Sequence, residues 1–152
     1  MLRAGGPSRD TYSNMANTIK LEIVTPQATV YSEDVDMVTL PGAVGEIGIY
    51  PMHVPLMTQM VPGEMIVRKN GSETYLAVGE GLVEVTSARV SIVTDMAVAA
   101  ASIDEAAAEE ARQRAAARLR EKISDEEAAA ATGALTRSLA QLQVKRRRQV
   151  TG

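Results

Sequence analysis

The chain has 152 residues and a mass of 16.2 kDa, the size of one ordinary domain or of a small domain with an appendage. It is 45% hydrophobic and 23% charged, carries a formal net charge of −3, and has no Cys, a single His and 3% aromatic residues. That excludes disulfides, thiolate catalysis and zinc-finger or iron–sulfur ligation, leaves acid–base chemistry at neutral pH short of players, and argues against a base-stacking binder of single strands.

Residues 1–17 are rich in Gly, Pro, Ser and Asn without an apolar period. They read as a disordered tail, or as an upstream extension of a chain beginning at Met15. No signal peptide is expected there, and no apolar run in the chain approaches the roughly 18 residues of a membrane span. From Thr18 the pattern turns to period two. Ile19, Leu21 and Ile23 alternate with Lys20 and Glu22, the mark of a strand with one wet face.

Similar short runs follow at 28–31, 35–40, 46–50, 55–60, 64–69, 74–78, 82–85 and 90–94. Gly and Pro punctuate them, which predicts an antiparallel β-sandwich of about eight to ten short strands over residues 18–98. Asn70-Gly71 suits a hairpin turn with positive φ at both central residues, a better fit than a glycosylation sequon. Gly42, Gly45 and Gly48 recur every third residue but lack the Lys-Ser/Thr and the helix of a phosphate loop. They predict turns and a bulge around a short strand.

Residues 102–148 read as a helical hairpin. Ser102 with Glu105 and Ser124 with Glu127 are two capping boxes, predicting helices from about Ile103 to Lys122 and from about Asp125 to Lys145. The apolar stripes are Ile103, Ala107, Ala111, Ala115 and Leu119, then Ala128, Ala131, Leu135, Leu139 and Leu142. A short link makes the pair an antiparallel hairpin. An alanine seam buries little area at about 25 cal/mol per Å², so such a hairpin can undock and stay helical, although the pattern alone favours a stable two-helix cap on the sandwich over a switch. Residues 1–102 carry 6 basic and 11 acidic side chains, and residues 103–152 carry 10 and 8. Neither half has the strongly basic face of a nucleic-acid binder.

The segments "LEIVTP", "GEIGIYPMHVPLMT", "GLVEVT" and "AQLQV", in that order, resemble the epsilon subunit of the F-type ATP synthase over about residues 18–144. The resemblance implies a non-catalytic subunit of the central rotor stalk, peripheral on the cytoplasmic side of the inner membrane. Its sandwich would grip the gamma subunit and rest on the c-ring. Its hairpin would fold down, or extend into the alpha/beta catalytic head and inhibit ATP hydrolysis.

On that resemblance Glu46 and His53 fall on positions facing the c-ring, with an ordinary turn histidine as the other reading of His53. The family's nucleotide signature falls on Ile103, Asp104, Ala107 and Ala108. Ala107 stands where the signature has Arg, so the phosphate-facing cation is missing and no cofactor is expected. ATP as a regulatory ligand is expected to bind weakly or not at all. The basic tail Lys145, Arg146, Arg147 and Arg148 is implied to approach an acidic loop of the catalytic beta subunits.

Two other classes are weighed against this. One is a free-standing β-sandwich adaptor whose hairpin docks partner helices. The other is a hydrolase built on His53 with a Ser and an Asp, which no nucleophile-elbow motif supports.

Overall fold

The computed structural model describes residues 18–151, so the tail or extension expected over residues 1–17 lies outside them. Ten strands come first: β1 (Ile19–Val24), β2 (Thr29–Val35), β3 (Met37–Gly42), β4 (Gly45–Ile49) and β5 (Leu56–Met60), then β6 (Gly63–Lys69), β7 (Ser72–Val78), β8 (Gly81–Val85), β9 (Arg89–Thr94) and β10 (Ala97–Ala99). A 3-10 turn at Ala100–Ser102 leads to α1 (Glu105–Leu119) and α2 (Asp125–Thr151).

The strands join in the order β10-β7-β6-β3-β5-β8-β9-β1-β2, with β4 paired to β3. The sheet folds over itself, so that Ile19, Leu21, Ile23, Val38, Leu40, Met65, Val67, Leu76, Val83 and Ile92 share one core. Period-two alternation selects this set, because every second side chain of a strand points to one face. All pairings are antiparallel except β1 with β9, which is parallel in register Leu21↔Val90 and Ile23↔Ile92. A parallel pair needs a long crossover, and here the seven strands between β1 and β9 supply it.

Two local details depart from the expected elements. The run at 35–40 is two strands. At the break, the Asp36 amide donates to the Arg68 carbonyl (2.8 Å) and its carboxylate accepts from the Asn70 amide (2.9 Å), drawing the chain across to the β6–β7 turn. That turn has φ of 51° at Asn70 and 79° at Gly71, as its sequence requires. β10 lies beyond the last expected run at 90–94 and pairs with the end of β7, Ala97↔Val78.

The helix ends also differ. Ser102 does not cap α1: it ends the 3-10 turn, and Asp104 is the N-cap, its carboxylate accepting from the Ala107 amide at 3.1 Å. Two extended residues, Ile103 and Asp104, separate the turn from the helix, so the cap falls two residues later than expected. α1 stops at Leu119 instead of Lys122, while α2 runs six residues past Lys145 to Thr151. The second capping box forms as read, with the Ser124 hydroxyl accepting from the Glu127 amide at 3.1 Å and the Glu127 carboxylate accepting from the Ser124 hydroxyl at 3.0 Å.

Candidate functional site

α2 lies on the outer face of β7, and α1 packs on α2. The last three residues of β7, Leu76, Ala77 and Val78, are all buried. Leu76 and Val78 face the sandwich core, while Ala77 faces outward and packs with Met96, Ala100, Ile103, Ala140 and Val144. Alternation is lost here because α2 covers what would otherwise be the wet side. The buried residues of the hairpin are Ala108 and Ala115 on α1 and Ala131, Ser138, Ala140, Leu142 and Val144 on α2, of which Ala140 and Val144 belong to the cluster at Ala77. The expected stripe was therefore one residue out at Ala107, which is exposed, and Leu139 also points away from the buried face at 39% exposure. The spacing explains it: steps of four residues drift by about 40° each around a helix of 3.6 residues per turn, whereas Ala108 and Ala115 stay on one face.

The four basic residues that the resemblance directs to the catalytic head are here drawn together against the protein itself. Lys145 Nζ donates to the Ala100 carbonyl (3.2 Å). Arg146 reaches α1, donating to Glu105 (2.9 Å) and Glu109 (3.4 Å). Arg147 and Arg148 converge on one carboxylate, Glu64 at the start of β6. The Arg147 guanidinium donates to Oε1 at 3.2 Å and Arg148 Nε to Oε2 at 3.0 Å, with a second Arg148 bond to Oε1. The Glu64 side chain is only 11% exposed. The Arg148 guanidinium also lies 3.6 Å from the centroid of the Tyr75 ring, a cation–π contact on the same outer face of β7 as Ala77. Further along α2, Arg137 donates to Asp95 at 3.2 Å. Asp95 sits so close over Gly79 that a Cβ there would meet its Oδ1 at 1.9 Å, so glycine is what lets this carboxylate lie flat against the strand end.

The electrostatics follow the contacts. Hydrogen bonding to Glu64 holds the Arg148 guanidinium above its ordinary range against the opposing effect of burial. Glu109, bonded first to Arg112, is pulled down to about 2. Glu73, bonded to the Tyr75 hydroxyl and to Arg68, is also lowered. Sequence patterning offers no route to Glu64, Tyr75, Asp95 or Arg137, since each meets its partner across a long stretch of chain.

The other expected site residues lie elsewhere. Glu46 is exposed on β4, opposite Pro41, beside the 95%-exposed Val44 at the β3–β4 turn. His53 lies in the loop between β4 and β5, its Nδ1 donating to the Val54 carbonyl at 2.6 Å. Met52 just before it has φ of 63°, left-handed backbone that costs a non-glycine residue about 1–3 kcal/mol. Its amide donates to the Ser87 carbonyl at 3.0 Å, tying the loop to the β8–β9 turn. Among the described residues no hydrogen bond or ion pair joins Glu46 to His53.

An apolar strip lies nearby: Met52, Val54, Met57, Leu82 and Val93 are each more than half exposed, and Leu82 pairs directly with Val93 across β8 and β9. Each residue of the nucleotide signature has a folding role. Ile103 is buried beneath α2, Asp104 caps α1, Ala107 contributes an amide to that cap, and Ala108 lies in the seam. Among the described residues no cluster of His, Asp and Glu could hold a metal ion, and no helix is long and apolar enough to cross a membrane.

Two family models match: the ATP synthase Delta/Epsilon chain β-sandwich domain over residues 18–100, and the Delta/Epsilon chain long α-helix domain over residues 102–146. The ATP synthase epsilon chain of Herpetosiphon aurantiacus is 44% identical over 131 residues, covering 86% of this chain and 96% of that one. The epsilon chain of Laribacter hongkongensis is 40% identical over 128 residues, covering 83% and 91%. The fold is shared with a chain of the Euglena gracilis mitochondrial ATP synthase, seen by cryo-electron microscopy in an assembly of OSCP, F1 and c-ring. The TM-score is 0.69 at 20% identity, covering 94% of this chain and 87% of that one. A ten-strand sandwich followed by two packed helices, matched through both halves, assigns the molecule: the chain belongs to the family of ATP synthase epsilon chains, non-catalytic subunits of that complex.

Proposed function

We propose that the chain is a central-stalk subunit of a proton-translocating F-type ATP synthase that couples rotation to ATP synthesis and restrains ATP hydrolysis through its hairpin. Relatives named as epsilon chains, matched along nearly their whole length, support this reading most directly. The sandwich carries the docking surfaces. Met57, Leu82 and Val93 form an outward apolar strip on adjacent strands, which suits the gamma subunit. Glu46 and His53, on polar edges near Val44 and Met52, suit the c-ring. In this reading the protein is peripheral on the cytoplasmic side of the inner membrane, held there by its partners.

Regulation falls to the hairpin. In its folded form the side chains that would face the alpha/beta head, Lys145 to Arg148, are occupied by the chain's own acceptors. Extension would free all four. ATP is a weak ligand at most, because Ala107 offers no cation and Arg146 is engaged by Glu105 and Glu109.

Tagged protein recovered from detergent-solubilised membranes tests the reading. Co-purification of the ATP synthase subunits, gamma included, is the expected result. Recovery of the chain alone would favour the free-standing adaptor.

A further inference from the structure

We infer that Glu64 is the lock of the folded hairpin: it receives Arg147 and Arg148 together, and its loss alone releases the C-terminal end of α2 from the sandwich while leaving every cation of the tail in place. The inference rests on the hairpin reading above for its regulatory meaning, but not for its physical content.

The contacts along α2 are unequal. At Arg137 a single bond of 3.2 Å joins side chains 38% and 43% exposed, a pair that water and salt easily replace. At the other end, one carboxylate 11% exposed accepts from two guanidinia, and the Arg148 side chain is itself 20% exposed. Arg148 contributes two of those bonds in forked geometry, and its far face is backed by the Tyr75 ring. Between the two ends the packing is modest: Ala140 and Val144 press on Ala77, Met96 and Ala100.

Arg146 extends the arrangement, because the helical turn that locks onto the sandwich through Glu64 also reaches α1 through Glu105 and Glu109. Residues 145–148 therefore tie together the sandwich, the 3-10 turn and both helices. Undocking of α2 therefore requires this end to let go. The link at Arg118 and Glu127 keeps the two helices joined at the other end.

Glu64 separates two roles that the arginines confound. Neutralising the arginines removes the lock and also removes whatever those charges would contact after extension. Glu64→Gln removes only the lock. The chain has no native Cys, so paired spin labels at Ser72→Cys and Gln149→Cys report the distance between the β6–β7 turn and the end of α2.

The full chain should give one short distance. Glu64→Gln should add a long-distance population, lowering the docked-to-released ratio by about tenfold, as loss of a charge-assisted acceptor does. High salt should act in the same direction. Glu64→Arg combined with Arg147→Glu and Arg148→Glu should restore the short distance, which also guards against a simple folding defect in the first variant. An unchanged distance distribution in folded Glu64→Gln overturns the lock.

In the assembled ATP synthase, Glu64→Gln should lower ATP hydrolysis, since it frees the hairpin with its cations intact. A shifted distance with unchanged hydrolysis keeps the lock and overturns the inhibitory role of the hairpin.

Discussion

The sandwich and the hairpin are held by different means. In the sandwich, Leu21, Ile23, Leu40, Ile49 and Met65 are fully buried large side chains meeting in one core. Each such residue contributes about 1.5–3 kcal/mol of burial. In α1 only Ala108 and Ala115 are buried, and the helix pair relies on small contacts and on Arg–Glu bonds at its two ends. Exposed pairs of that kind are worth about 0–1 kcal/mol each. The contrast teaches how one short chain can combine a fixed body with a detachable arm: the body is built on area, the arm on charge and intrinsic helicity.

The hardest test of that contrast is to injure each part by one side chain. Leu40→Ala should cost the sandwich about 2–5 kcal/mol in urea unfolding, because it opens a cavity in a packed core. Ala115→Gly should cost the hairpin about 1 kcal/mol and leave the β transition where it was. Equal losses in both transitions would mean that the two parts unfold as one. The boundary itself is tested by a chain ending at Ala100. Its strands and turns are complete, so it should unfold cooperatively with a β-type circular dichroism spectrum. An aggregated or molten product would show that α2, which covers Ala77, is needed for the body to fold.

A second comparison separates the arm's function from its stability. Truncation after Ile123 removes α2 entirely and should raise ATP hydrolysis in the assembled complex, leaving assembly and proton-driven synthesis largely intact. Unchanged hydrolysis would leave the hairpin a structural cap.

Ligand binding should be a smaller effect. Without a cation at Ala107, calorimetry on the chain should detect no binding at micromolar ATP. Ala107→Arg should add at most one to two decades of affinity, since a charge-assisted hydrogen bond is worth about 1.5–3 kcal/mol. Tight binding by the unaltered chain would place a site on other residues.

The smallest predicted change concerns pH. Arg112 holds Glu109 down to about 2, below the ordinary carboxylate value of 4.5. A depressed carboxylate stabilises the fold above its unfolded value and loses that contribution as pH falls toward the folded one. Hairpin stability should therefore decline between about pH 4.5 and 2, before the sandwich core responds. Glu109→Gln should flatten that decline, and a helical signal falling equally steeply in both chains would assign the acid response to other carboxylates.

Local chemistry made much of this molecule legible from its residues. Alternation at Ile19, Leu21 and Ile23, positive φ at Asn70 and Gly71, and the box at Ser124 and Glu127 each depend on neighbours a few residues away. The family resemblance, carried by short segments such as "GEIGIYPMHVPLMT", lay in the same local record. What only the tertiary structure decided involves distant partners. The parallel pairing of β1 with β9, the double burial of β7, and the burial of Ala108 in place of Ala107 all depend on which surfaces meet. The basic tail is the clearest case. Four cations at a helix end look solvated, or look meant for another protein, until the fold carries Glu64 to within 3.2 Å of Arg147 across 83 residues of chain. A charge finds its partner through space, and no local period in the sequence records that distance.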